Sequence, residues 1–299
     1  MVTFAEIRMP MISIDPKTLP TPKLQAYLQC AVAPRPIALA STVDAEGNPN
    51  LSPFSFFNLF SSNPPILVFS PARRVRDNTT KDTLDNVKAV KEVVISVVSY
   101  DMVQQVSLSS TEYPKGVNEF EKAGFTRLDS ELVKPARVAE SPVQMECVVK
   151  EVIALGNEGG AGNLVICEVV KLHISEEVLN DDQTINQESL DLVARCGFNY
   201  YSRSRSGFFE VPKPLTTMGI GIDNMPDEVK NSMILTGNDL GMLGNVENLP
   251  SKIEVDAFIK NIIQRYPNIK ETTHREKHKL AQNYLSYGDV DSAWKILLS

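Results

Sequence analysis

Residues 50–86, NLSPFSFFNLFSSNPPILVFSPARRVRDNTTKDTLDN, bring two apolar runs up against four cations, Arg73, Arg74, Arg76 and Lys81, and a hydroxyl-rich helix start. The chain as a whole carries a formal net charge of −7 at pH 7, so a local island of positive charge needs a reason. Lys81-Asp82-Thr83 opens the predicted helix, where free backbone N–H groups, the helix dipole, a hydroxyl and an ammonium converge. A phosphate suits such a point. Beside it, SPFSFF offers aromatic surface, so a planar ring carrying a phosphate fits the pair of features, and flavin mononucleotide (FMN) is such a molecule.

Each piece also has a plainer reading. Strand alternation sends Ser52, Phe54 and Phe56 to one side and Pro53, Ser55 and Phe57 to the other. One face can fill a core while the other gives backbone amides, Ser55 and an aromatic wall to a ring; two ordinary core faces would read the same. Thr80 or Asp82 can cap the helix and leave Lys81 in water. Three loop arginines cannot all reach one phosphate. Arg73 is the first choice for it, a second arginine can meet the phosphates of a nicotinamide nucleotide, and exposure is the default for the rest. Arg35 is locked between Pro34 and Pro36 in stiff, extended backbone, which suits a positioned group and equally an edge-strand entry.

The elements that must position these residues are mostly strands. Residues 36–43 and 50–60 flank DAEGNP as a hairpin, and 65–70 follow a double proline as a third strand. KDTLDNVKAV reads as a short helix, EVVISVVSY (92–100) as a buried strand, and Asp101 with Gln104 as a capping box opening a helix over 101–110. After the loop-rich segment 111–142, Val143, Met145, Cys147 and Val149 alternate with Gln144, Glu146 and Lys150 as a half-buried strand. GNEGGAGN at 156–163 turns it into a partner strand over 164–174. Those glycines precede a strand, not a helix, which excludes a dinucleotide-binding fingerprint. Six strands with short turns predict a mainly β fold closing into a small barrel.

After about Pro214 the composition changes. Residues 251–266 begin with Ser251 and Glu254 in capping-box spacing and place Val255, Phe258, Ile259 and Ile262 on one face. The end of the chain resembles one tetratricopeptide-type hairpin through Ala281, Tyr284, Gly288, Asp289 and Ala293. One such unit cannot bury its own apolar face, so it needs the barrel, a second subunit or a partner to pack on. The predicted division is a domain over 1–215 and a helical extension over 225–299.

The bulk numbers exclude several classes. With 299 residues, 42% hydrophobic and 22% charged, the chain can bury a full core. A pI near 5.2 argues against a nucleic-acid surface, and no run of 18 apolar residues predicts a membrane span. MVTFAEIRMPMISIDP lacks the apolar core of a secretory signal. Cys30, Cys147, Cys167 and Cys196 are far apart in sequence, as expected of reduced and mostly packed thiols in the cytoplasm. No zinc-ligand pairing is present. His274 and His278 are four apart on a helix, but HREKH is not a metalloprotease order, and a solvated helix face is expected. No serine-hydrolase elbow occurs.

PRPIALAST (34–42), LSPFSFFN (51–58), NPP (63–65), KDTLDN (81–86), YPKGVNEFEKAGF (113–125) and EVVKLHI (168–174), taken together and in order, resemble the flavin reductase-like family. The resemblance covers about residues 20–212. It implies a six-stranded antiparallel Greek-key split barrel with a few short helices, binding FMN, usually at a homodimer interface. It implies flavin contacts from Ser52, Pro53, Phe54, Ser55 and Phe57, a phosphate site at Lys81, Asp82 and Thr83, and approach of Arg35, Ile37 and His173 to the cofactor. Arg195 and Tyr200 lie in ARCGFNYY, where the family often has two glycines after the arginine; Cys196-Gly197-Phe198 departs from that pattern. The implied activity passes hydride from NADH or NADPH to bound flavin, and electrons onward to a protein partner, a ferric chelate, oxygen or a monooxygenase using released flavin. No catalytic acid or base is implied. A flavoredoxin-type electron carrier and a non-enzymatic flavin-binding sensor are the alternatives.

Overall fold

The computed structural model describes residues 10–214, 218–264, 266 and 271–299. Of MVTFAEIRMPMISIDP, the stretch expected not to be a secretory signal, residues 1–9 lie outside the described residues. The chain divides into two compact units, Met1–Phe209 and Glu210–Ser299.

The first unit runs α1 (Thr21–Ala31), β1 (Ala38–Val43), β2 (Pro49–Phe54), β3 (Phe57–Ser62), β4 (Pro65–Phe69), α2 (Asp82–Ala89) and β5 (Glu92–Ser96). It continues with α3 (Val103–Ser109), α4 (Glu119–Ala123), β6 (Arg127–Leu128), β7 (Arg137–Val138), β8 (Val143–Ala154), β9 (Asn163–Ile174), α5 (Gln187–Leu190), β10 (Val193–Arg195) and β11 (Tyr201–Arg203). Seven strands form one sheet in the order β2-β1-β5-β8-β9-β4-β3, each neighbour antiparallel. β2 and β3 are its two edges, yet only Ser55 and Phe56 separate them in the chain. A sheet whose edges are joined by two residues must curl until those edges approach, which makes it a barrel.

The expected six strands are therefore seven, because the 50–60 run breaks in two. Nothing in SPFSFF marks the break; closure of the barrel imposes it. Its consequence is a reset of the alternation. Phe54 is buried and Phe57 packs against the same interior cluster, while Phe56 is turned out and 40% exposed. The expected division of 52, 54 and 56 from 53, 55 and 57 holds within β2 only.

Ala38, Ala40, Val93, Ile95, Cys147 and Cys167 fill the barrel with Leu84 and Val87 of α2. Ile37, Leu39, Leu51, Met102, Val106 and Phe120 make a second cluster that unites the other face of β1 and β2 with α3 and α4. The expected capping box at Asp101 does not form: a 3-10 turn (Tyr100–Met102) leads into α3, whose N-terminus has no side-chain cap. On β8, Gln144 and Glu146 are buried instead of half-exposed, because residues 131–138 cover them and supply their hydrogen-bond partners.

The second unit contains α6 (Asp227–Lys230), α7 (Gly237–Gly244), α8 (Lys252–Ile262), α9 (His274–Leu285) and α10 (Val290–Leu297). Capping boxes Thr236/Asp239, Ser251/Glu254 and Thr273/Glu276 start α7, α8 and α9. Val255 and Ile259 of α8 are buried as their spacing predicted. The α9–α10 hairpin packs on α7 and α8, and Trp294 at its centre donates its indole N–H to Leu243 O at 3.0 Å. The partner for the hairpin's apolar face is thus the chain's own preceding helices. His278 departs from the expected solvated face: it is buried and shares a 2.7 Å hydrogen bond with Ser232 Oγ, and burial holds its pKa below the ordinary value. Among the described residues no helix is long and apolar enough to cross a membrane.

Candidate functional site: a buried ammonium between an edge strand and a helix start

β2 is an edge strand, and its free edge has few donors. Leu51 N–H points away from β1 and donates to Glu119 Oε2 at 3.0 Å. Positions 49, 53 and 55 share that direction by the period of two. Pro49 and Pro53 have no N–H, a usual device on an edge. The Ser55 N–H, beyond the strand, meets no acceptor among the described residues.

Across from this edge stands the start of α2. Lys81 is the N-cap residue with extended backbone, and Asp82 is the first helical residue, so neither Asp82 nor Thr80 caps the helix. The Lys81 ammonium lies 3.3 Å from Ser52 Oγ and 5.0 Å from the centroid of the Phe54 ring. It is half-buried, and burial first, then the charge of Arg74, pull its pKa below the usual lysine value against the opposing charges of Glu112 and Glu119. No carboxylate lies within ion-pair distance of it among the described residues. A cation drawn partly out of water with no anion in direct contact can accept one at low cost.

Beneath it a polar network fixes the wall. Thr83 is fully buried and donates to Asn50 Oδ1 at 2.7 Å. Asn50 Oδ1 also accepts from Thr42 Oγ1 at 3.3 Å, Thr42 Oγ1 accepts from Asn86 Nδ2 at 3.1 Å, and Asn50 Nδ2 donates to Glu119 Oε1 at 3.2 Å. Burial raises the Glu119 carboxyl above its ordinary value against the pull of those donors. The Thr83 hydroxyl proton is therefore already engaged, and its place is in the wall. Asn50, Thr42 and Glu119 lay inside NLSPFSFF, PRPIALAST and NEFEKAGF without a role of their own.

The four cations do not converge. Arg73 curls back on Asn78, donating to its Oδ1 at 2.6 Å and its O at 2.7 Å, and Arg76 pairs with Asp77 and Glu112. Arg74, not Arg73, lines the crevice with Lys81, held by Thr80 O at 2.6 Å and Glu112 at 3.1 Å. Ile37 is buried in the outer cluster. Arg35 is 7% exposed and its guanidinium donates to Gln29 O, Val32 O and Cys196 O at 2.6, 2.5 and 3.1 Å, with Nε unpartnered. Burial first, then Arg195, lowers its pKa.

His173 stands elsewhere. Ser52 pairs with Ala40, and Ala40 with Ile95, Ile95 with Met145 and Met145 with Leu172 across the sheet. His173 falls on the alternate row with Gln144, Ser96, Leu39 and Pro53, and so on the opposite face from Ser52. Its Nε2 meets Glu146 Oε1 at 2.7 Å. Glu146 is fully buried and also accepts from the N–H groups of Glu131, Leu132 and Val133 at 2.8, 2.7 and 3.2 Å. Burial alone would raise its pKa; these bonds outweigh it and hold the carboxyl below the ordinary value. His173 thus ties the 131–133 loop to the barrel and does not face Lys81. Arg195 lines a separate cleft of about 370 Å³ with Tyr100, Gln104 and Arg203, stacked 4.8 Å from the Tyr201 ring; Tyr200 is largely exposed.

Residues 30–194 match the family described as flavin reductase like domain. The chain belongs to the flavin reductase-like family. An uncharacterised protein of Aquifex aeolicus is 35% identical over 173 residues, spanning 58% of this chain and 86% of that protein. The crystal structure of nitrilotriacetate monooxygenase component B from Bacillus cereus is similar with a TM-score of 0.64 at 29% identity, over 68% of this chain and 100% of that one. A split-barrel structure from Shewanella frigidimarina matches at a TM-score of 0.57 and 23% identity, over 66% of this chain and 95% of that one, and shares its fold. A split-barrel fold, mainly antiparallel β with helices, follows for this member of the family.

Proposed function

We propose that this flavin reductase-like protein is an FMN-dependent oxidoreductase that accepts hydride from NADH or NADPH and passes electrons to a second acceptor. One observation supports the placement: the half-buried Lys81 ammonium stands at the N-terminus of α2 against Ser52 Oγ and the Phe54 ring, with no carboxylate within ion-pair distance among the described residues. The residues fit the cofactor. Lys81 and the first-turn N–H groups of α2 hold the phosphate, with Arg74 adding positive charge at the crevice mouth. Ser52, Pro53, Phe54, Ser55 and Phe57 border the ring, with the Ser55 N–H as hydrogen-bond donor to it. Arg35, Ile37, Asp82 and Thr83 act through the framework, by bracing α1 and setting the wall.

When bound, flavin would supply the hydride chemistry that none of the side chains lining the crevice can perform. The chain's part is to bind, orient and exclude water, and no proton-transferring residue is assigned. The acceptor is a partner protein or a small molecule; the similarity to a monooxygenase component B supports release of reduced flavin to a monooxygenase. A homodimer is proposed as the working form, since α1 buries no residue of its own and leaves Leu28 and Val32 exposed in one groove with the exposed Phe56.

Purified protein mixed with FMN should show the shifted, structured visible absorbance of bound flavin, and should oxidise NADH or NADPH with FMN present. Binding without turnover on either nucleotide would leave an electron carrier or sensor. No binding would overturn the reading.

A further inference from the structure

Two cysteines that the sequence separates by more than half the chain meet in space. Cys30 lies in the last turn of α1 and is exposed; Cys196 follows β10 and is half-buried. A Cβ built on Gly197 would sit on top of Cys30 Sγ and only 3.3 Å from both Cys30 Cα and Cys30 Cβ. Gly197 is thus needed where it is, because the Cys30 side chain occupies the space of any larger residue. Cys196 is its immediate neighbour. Adding one bond length and the spacing of consecutive Cα atoms puts the Cα atoms of Cys30 and Cys196 at most roughly 8.6 Å apart. A disulfide spans about 4.4–6.8 Å between Cα atoms.

The backbone around the pair is tied to one group. Arg35 exchanges two backbone hydrogen bonds with Arg195, at 3.0 and 2.8 Å. Its side chain donates to Gln29 O and Val32 O on either side of Cys30 and to Cys196 O. The same guanidinium lies within electrostatic reach of both sulfurs. The turn 196–200 has room to adjust: Phe198 has a φ of +53° and is 68% exposed.

We propose that Cys30 and Cys196 are a redox-active thiol pair that a low-molecular-weight disulfide converts to an intramolecular disulfide, stapling α1 to the β10–β11 segment. The electrons balance in two exchanges. The Cys30 thiolate attacks one sulfur of the small disulfide, forming a mixed disulfide and releasing the first small thiol. The Cys196 thiolate then attacks the Cys30 sulfur, forming the Cys30–Cys196 bond and releasing the second. Two protein thiols are oxidised, one small disulfide is reduced to two thiols, and these take up the two protons. Because α1 buries no residue, its hold on the barrel is what the bond changes. The proposal does not rest on the flavin reading and is tested without added flavin.

The other two cysteines are built-in controls. Cys147 and Cys167 are buried in the barrel, where desolvation pushes both thiols up, Cys167 to about 12. The full-length protein is incubated with oxidised glutathione, trapped with N-ethylmaleimide and analysed by intact mass, non-reducing gel and peptide mapping. Expected are the loss of two maleimide additions, a linked Cys30–Cys196 peptide, a monomeric gel band and intact thiols at 147 and 167. C30S and C196S should each stop at a single glutathione adduct on the remaining cysteine. Hydrogen exchange of residues 21–31 should slow on oxidation of the natural protein and not of C196S. Separate glutathione adducts at 30 and 196, no reaction at either, or a cross-link between chains would each overturn the proposal.

Discussion

The proposed phosphate site turns on Lys81, whose environment sets the size of the expected effect. A charge-assisted contact to a phosphate is worth about 1.5–3 kcal/mol, so K81A should raise the FMN dissociation constant roughly 10- to 150-fold, read by equilibrium absorbance titration. Unchanged affinity would move the phosphate elsewhere. The pH dependence has a definite sign. Burial lowers the pKa of Lys81 in the free protein, so the proton that attracts a phosphate is lost at a lower pH than for an ordinary lysine. FMN retention should accordingly weaken with rising alkaline pH, earlier than an ordinary lysine would allow, and K81R, whose guanidinium keeps its charge, should abolish that dependence. Thr83 belongs to a different class of residue. With its hydroxyl engaged by Asn50, T83V should lower stability by about 1 kcal/mol in urea unfolding. An affinity loss as large as that of K81A would instead show that Thr83 touches the phosphate.

At the scale of elements, β2 and the 131–133 loop are held by single carboxylates reaching across gaps in hydrogen bonding. Glu119 satisfies the edge N–H of Leu51, and Glu146 gathers three loop N–H groups and His173. Because the folded-state pKa of Glu146 lies below the ordinary 4.5, its contribution to stability is present above that pH and is lost as pH falls through the depressed value. E146Q should therefore melt at a lower temperature near neutrality and lose less of its stability between neutral pH and pH 4.5 and below, measured by thermal unfolding across that range. Equal acid sensitivity in both proteins would place the acid-labile group elsewhere. The break at Ser55-Phe56 is the other decisive element. It turns one run of alternating residues into two barrel edges and leaves the Ser55 N–H without an acceptor among the described residues, a product of closure and not of composition.

At the scale of the molecule, the two units have separate cores. The sole tryptophan, Trp294, is fully buried in the helical unit and engaged with Leu243 O. W294A removes a large buried side chain and should cost about 3–5 kcal/mol, reducing helical circular dichroism at moderate urea. Flavin absorbance reports on the barrel unit and tryptophan emission on the helical one, so the two signals followed through one denaturation distinguish separate from joint unfolding. Full helical signal in W294A would mean that the unit's core does not depend on its central side chain.

The sequence by itself determined what local chemistry determines: the strand runs, the turn glycines, one of the three tail capping boxes, Ser251 with Glu254, and the motif order that marks the flavin reductase-like family. Hydrophobic period and capping act over a few residues, so they are legible in a window. Tertiary structure decided everything that depends on closure and on which face a residue takes. It split 50–60 into two edges, turned Arg73 toward Asn78 and Arg74 toward the crevice, put His173 behind the sheet and tied Thr83 to Asn50. It also brought Cys30 beside Cys196. Each of these is a meeting between distant segments, fixed by register and packing across the barrel, and no spacing along the chain encodes it.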